Sequence, residues 1–316
     1  MAEHLWLRGD LCQGRAPDGT PVPFVYAIGL PFVSGPFVLL GAAVDALTAG
    51  AIPLRRIVAL TVPVLGALAC LLLYKIGRRL SVPHAPSFAA AILLGLGSPM
   101  LTFVQFYYAE TAVAFFVLLA VWAFLLSLAR AGKARAGYRV LTGAGLAGIT
   151  ACHYANGATS LALWIVFVVA VLRDATADRR ARLIAVATLS AVPLAAGAAI
   201  LALNAAQYGG PFRTGYTHAS RSAPAELAAS RDTRPRPARE GGDEKPSLWY
   251  HDQPGASRDL LSFRLGHVPR SAPRVLYWLL RVPWIVPAVF FIPALVRRRR
   301  WIGLGVLAAA AAQLAL

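Results

Sequence analysis

The stretch Val140 to Leu172, VLTGAGLAGITACHYANGATSLALWIVFVVAVL, contains no Asp, Glu, Lys or Arg and is bracketed by basic residues on both sides. As one helix it would run about 50 Å at ~1.5 Å per residue, well beyond a bilayer core of ~30 Å. Arg130, Lys133, Arg135 and Arg139 precede it, and Arg173, Arg179, Arg180 and Arg182 follow it. Basic loops resist translocation, so both flanks belong on the cytoplasmic side of a membrane. A single span would separate them. The stretch therefore goes out and comes back, turning at His153-Tyr154-Ala155-Asn156-Gly157, where Asn and Gly suit a tight reversal. Each limb is short, which leaves tilt or a re-entrant hairpin open.

The same alternation extends outward from this hairpin. Uncharged apolar runs cover Ile57 to Tyr74, Ser87 to Ala109, Thr111 to Ala129, Leu183 to Phe212 and Trp301 to Leu316, and Val275 to Val296 adds a span that contains Arg281. Lys75, Arg78 and Arg79 close the first run, and Arg297 to Arg300 precede the last. The tips Gln105 to Glu110 and Cys152 to Gly157 hold no Lys or Arg and face outward. The fold expected is all-α, a polytopic membrane protein of about seven to eight transmembrane helices with one long extracytoplasmic loop. Residues 1–55 form an extracytoplasmic loop or re-entrant segment, because Pro21, Pro23, Pro31 and Pro36 interrupt a straight span. Residues 56–206 form a transmembrane helical core. Residues 207–272 form an extracytoplasmic loop whose middle has the Pro, Arg and Glu content of a disordered segment, and residues 273–316 the C-terminal transmembrane helices.

Composition supports this class. Hydrophobic residues make up 58% of the 316-residue chain, and the mean hydropathy of +0.60 exceeds what a water-soluble exterior allows. A net charge of +17 would suit a nucleic-acid partner, but the 31 Lys and Arg cluster in loops and at helix ends. Cytoplasmic retention and anionic lipid account for that placement, and no basic element carries the aromatic interleaving that base stacking needs. Cys12, Cys70 and Cys152 make no disulfide framework or metal spacing and read as packing residues.

Soluble-enzyme signatures are missing: there is no GxGxxG on a strand, and no GxxxxGK[ST], HExxH or CxxC. Polar and aromatic residues gather instead at the outward ends of the runs. Glu110 follows Tyr107 and Tyr108; it either answers the dipole of the helix it opens or, turned into a cavity, binds a metal or a sugar hydroxyl. His153, Tyr154 and Asn156 occupy the hairpin tip on the same side. Asn204 begins NAAQYGGPFRTGY, which ends at Tyr216 and holds a Gly-rich turn beside Arg213. Exposed backbone N–H groups together with a guanidinium suit a phosphate. His251 and His267 lie among arginines late in the long loop, and Arg281 is a charge inside a span, which must snorkel or line a wet cavity.

Read in order, these segments resemble the GT-C superfamily of membrane glycosyltransferases, specifically the bacterial relatives of family 39 that use polyprenyl-phosphate sugars. The likeness rests on Leu5-Trp6-Leu7-Arg8-Gly9-Asp10 followed by the Pro- and Gly-rich Tyr26 to Gly41, on Ser98-Pro99 with Tyr107, Tyr108 and Glu110, and on Asn204 to Tyr216. It implies a cell-envelope glycosylation enzyme of the bacterial plasma (inner) membrane, working on the extracytoplasmic face. Sugar would pass from a polyprenyl-phosphate donor to a glycan, lipid or protein acceptor, with inversion at the anomeric carbon. Arg213, Arg274 and Arg281 would hold the donor phosphate. Tyr107, Tyr108, Glu110, His153, Tyr154, Asn156, Asn204 and Tyr216 would contact the sugar. Some relatives use a divalent metal, for which Glu110 and His153 are the ligands available. The family's acidic base lies just after its first helix, which is expected upstream of Met1. Asp10 matches only a later part of that loop, so the chain reads as truncated at its start. Other readings are an O-antigen-ligase-like transferase using His251 and His267, a lipid-linked-sugar flippase or transporter, and an inactive fragment.

Overall fold

A computed structural model describes residues 6–7, 12–15, 21–23, 27–97, 100, 109–174 and 177–213. Near the start, β1 (Cys12–Arg15) pairs antiparallel with β2 (Pro21–Pro23), Arg15 opposite Pro21 and Cys12 opposite Pro23, with an irregularity between Cys12 and Gly14. This small ladder is an addition to the helical architecture expected from the sequence. The helices are α1 (Gly29–Val33), α2 (Gly35–Leu47), α3 (Leu54–Ala59), α4 (Thr61–Arg79), α5 (His84–Leu96), α6 (Ala109–Ala129), α7 (Gly132–Cys152), α8 (Gly157–Leu172) and α9 (Arg179–Tyr208), with a 3-10 turn at Tyr154–Asn156.

The expected reversal is present: α7 ends at Cys152, the chain turns through Tyr154–Asn156, and α8 starts at Gly157. Local chemistry also sets the limits of α9. The Asp178 side chain accepts a hydrogen bond from the Ala181 amide at 2.6 Å, and Gly209 closes the helix with φ +71°, a left-handed cap that glycine adopts without a Cβ penalty. In contrast, the run from Ser87 to Ala109 is not one helix. α5 stops at Leu96 after 13 residues, just before Gly97 and the Ser98-Pro99 pair, because a residue preceding proline is pushed out of the helical region.

Helix α7 occupies the centre, touching α1, α6, α8 and α9. It can do so because the face it presents to α6 and α9 is small. A Cβ on Gly145 would stand 2.9 Å from the Ala120 Cβ, one on Gly143 would stand 2.7 Å from the Leu189 carbonyl oxygen, and one on Gly148 would overlap the Phe116 ring. Close backbone approach through small residues is how helices associate in lipid, where burial of apolar surface drives little. Around this seam, Leu146, Ile149, Phe124 and Leu189 are fully buried, and Phe124 stacks on Phe167 of α8 at 4.2 Å. Two polar ties add direction: Ser160 Oγ donates to the Leu146 carbonyl at 2.8 Å, and Trp164 Nε1 donates to Ser190 Oγ at 2.9 Å.

Gly145 meets Ala120, while Gly148, further along α7, meets Phe116, earlier in α6; the two helices are therefore antiparallel. By the same reasoning α5 runs against α4, since Gly77 faces Ser87 and Gly95 faces Cys70. The bundle thus has two distinct ends. One gathers the end of α4, the start of α5, the end of α6 and the start of α7; the other gathers the opposite termini.

Among the described residues, three helical stretches are long and apolar enough to cross a membrane: Leu54–Arg79, Ala109–Ala129 and Arg179–Tyr208. Large apolar side chains stand exposed along α2, α5 and α9, including Leu39, Leu47, Leu96, Leu183 and Leu194. Only 17% of the apolar stretch of α9 is covered by the fold. Such a surface suits lipid as its solvent rather than water.

Candidate functional site

At the end where α6 begins and α7 and α9 finish, the chain brings uncharged polar groups into the packed interior. α1 starts this assembly. Gly29 lies so close to the Ala151–Cys152 backbone that no side chain would fit there. This docking holds the neighbouring Ile28 amide against Tyr154, whose oxygen accepts a hydrogen bond from it. Burial pushes the Tyr154 phenol upward, and that hydrogen bond partly offsets the rise. Tyr208, on the last turn of α9, is 7% exposed and lies near enough to Tyr154 to interact with it electrostatically. Upstream of α1, Trp6 donates its indole N–H to the Pro31 carbonyl at 2.9 Å and packs against Phe32 at 5.4 Å, so the start of the chain is tied to the same end.

One turn before Tyr208, Asn204 is 3% exposed. Its amide nitrogen donates to the Pro211 carbonyl at 3.4 Å, while its carbonyl oxygen has no hydrogen-bond partner among the described residues. The hydroxyls of Thr111, in the first turn of α6, and Thr159, in the first turn of α8, are likewise buried without partners among those residues. By comparison, Thr61, Ser127 and Thr142 each donate to a carbonyl three or four residues back. A buried polar atom left unmatched costs about 1–3 kcal/mol, so vacant groups collected at one end are a candidate ligand-binding feature.

Beyond Tyr208 the chain turns through Gly209 and Gly210, and the Arg213 amide donates to the Gly210 carbonyl at 3.1 Å. The Arg213 side chain folds back over this turn: a Cβ on Gly209 would stand 3.8 Å from its guanidinium. Arg213 is exposed, and its guanidinium pairs with no carboxylate among the described residues. It is therefore available to an anion.

Among the other residues singled out from the sequence, His153 forms the extended C-cap of α7, and Asn156 is buried at the start of α8 with its side chain not capping the helix. Glu110 is exposed in the first turn of α6, where it complements the helix dipole. Asp10, Tyr107, Tyr108, Tyr216, Arg274 and Arg281 lie outside the described residues, as do residues 214–316. No group of three or more His, Cys, Asp or Glu that would hold a metal exists among the described residues, so Glu110 and His153 do not gain a third such ligand there. Sequence reading left Tyr208 unassigned although it stands inside NAAQYGG, and it also left Arg55 and Arg56, exposed on α3 just before α4 and hence near this same end. A helical spacing of four between Asn204 and Tyr208 was the signal available for the first.

Comparison with protein families, with curated proteins and with solved structures finds no match to this chain.

Proposed function

We propose that this chain is a multi-pass membrane glycosyltransferase of the GT-C kind, with about seven to eight transmembrane helices. It transfers a sugar from a polyprenyl-phosphate donor to an acceptor on the extracytoplasmic face of a bacterial plasma membrane. The observation that carries the reading is the pairing of Arg213, an exposed guanidinium folded over a Gly-Gly turn, with Asn204, a buried amide whose oxygen is unmatched among the described residues. In this reading Arg213 holds the donor phosphate through paired N–H donors. Asn204, with the Tyr154 and Tyr208 hydroxyls, orients the sugar. The apolar faces of the bundle shelter the isoprenoid tail.

The acceptor hydroxyl oxygen attacks the anomeric carbon while the bond from that carbon to the phosphate oxygen breaks, so the configuration inverts. The lipid phosphate leaves with the bonding pair, and Arg213 stabilises the charge that develops on it. The acceptor proton passes to a base, a role that no described residue at this end is assigned.

Membranes holding the full chain, supplied with radiolabelled polyprenyl-phosphate hexose, test the proposal. Label recovered in a new glycoside supports it. Label recovered as intact donor on the opposite leaflet would instead make the protein a flippase.

A further inference from the structure

At the opposite, basic end, an open cleft of about 430 Å³ is lined by Tyr74, Lys75, Arg78, Arg79, Ser81 and Trp122. It exists because the chain turns sharply after α4. Ser81 takes a left-handed φ of +64°, and Arg78 donates across the turn to the Val82 carbonyl at 2.9 Å, which fixes the loop at the rim. Lys75 stands 5.6 Å from the centre of the Trp122 ring on α6. That contact places its ammonium over an aromatic face. Among the described residues no carboxylate pairs with Lys75 or Arg79, and the Tyr74 and Ser81 hydroxyls hold no acceptor. The cleft therefore presents three cations, of which Arg78 also holds the loop, and two neutral hydroxyls, with no carboxylate among the described residues paired to Lys75 or Arg79.

Its position along the bundle narrows the ligand. Tyr74, Trp122 and Tyr138, which meets Trp122 edge-on at 6.2 Å, form an aromatic girdle of the kind found at headgroup depth. Directly along α4 from Lys75, the exposed side chains of Leu71, Leu68 and Val64 follow at helical spacing and make an apolar strip toward the middle of the bundle. A donor cleft joined to a strip of that kind matches a phosphate headgroup with an acyl chain attached.

We propose that this cleft binds the phosphate of an anionic phospholipid, held by Lys75 and Arg79, with one acyl chain lying on Leu71, Leu68 and Val64. The site is at the other end of the bundle from the residues assigned to sugar transfer and does not depend on that assignment.

The test titrates the purified full chain, in an uncharged detergent, with phosphatidylglycerol, with diacylglycerol and with inorganic phosphate, and reads bound ligand by native mass spectrometry. Phosphatidylglycerol is expected to bind at least tenfold more tightly than diacylglycerol. K75A/R79A should weaken it at least tenfold, whereas R179A/R180A, which removes the same charge from an exposed site at the same end, should change it less than threefold. L71S should weaken the lipid and leave any phosphate binding unaltered. Equal binding of diacylglycerol and phosphatidylglycerol overturns the proposal, as does an equal loss in both double variants. Inorganic phosphate binding more tightly than the lipid, unaffected by L71S, would overturn the lipid assignment and make the cleft a site for a soluble phosphate.

Discussion

The two ends of the bundle solve the problem of polar groups near a membrane in opposite ways. At the basic end, Lys75, Arg79, Arg130, Lys133, Arg179 and Arg180 are exposed at helix ends and in the turn between α6 and α7, where water or lipid phosphate can reach them. At the other end, Tyr154, Asn156, Tyr208 and Asn204 carry no charge and are wholly or largely buried. The first arrangement costs little; the second costs free energy and is kept only if something else gains from it. The comparison teaches where chemistry should be sought: at the end whose polar groups are held away from solvent, not at the end with the most charge.

The largest expected effect concerns sidedness, which is all-or-none. An alkaline phosphatase fusion after Asn156 should be active in intact cells, and fusions after Ser81 or Lys133 inactive; equal activity at the two ends would erase the distinction drawn above. Next in size is packing. Gly29→Leu places a side chain into the Ala151–Cys152 backbone and should lower unfolding stability by about 3 kcal/mol. Gly137→Leu, at the basic end with nothing within 4 Å, should change it by less than about 1 kcal/mol, in the stabilising direction that helix propensity favours. Denaturant titration in detergent reads both, and similar losses would mean that the two ends are equally packed.

A smaller effect, confined to function, is expected for Arg213→Ala. Loss of a charged hydrogen-bond donor to phosphate should weaken donor binding about 10- to 100-fold with the fold intact. Unchanged donor affinity, measured by equilibrium binding of a polyprenyl phosphate, would remove the phosphate role. Smallest in stability is Asn204→Leu, which deletes the unmatched oxygen together with its amide. Its unfolding midpoint should stay within about 1 kcal/mol of the parent, while sugar transfer falls at least tenfold. If stability collapses and transfer per folded molecule does not change, Asn204 serves the fold alone.

Much of the helical layout was legible along the chain. The arginines flanking Val140 to Leu172 forced a reversal, Asn156 and Gly157 located it, and Gly209 marked where α9 ends, because charge, turn chemistry and left-handed caps act on residues close in sequence. The end of α5 was not legible from composition, since the apolar run continues to Ala109 although the helix stops at Leu96. Of the candidate site, the sequence pointed to His153, Tyr154, Asn156, Asn204 and Arg213 as polar residues at outward tips, but it gave no means of ranking them. Burial separates Asn204 from Glu110, and burial is set by neighbours distant in the chain.

The sequence by itself determined an apolar, helical chain with basic turns and one tight hairpin, because hydropathy and turn preference are local properties. Only the tertiary structure decided that Gly29 would dock on Ala151–Cys152, that Tyr208 would approach Tyr154, and that Lys75 would stand over Trp122. Each of these joins residues from helices that periodicity treats as independent. Which of them meet is fixed by how closely small residues such as Gly143, Gly145 and Gly148 let the backbones approach.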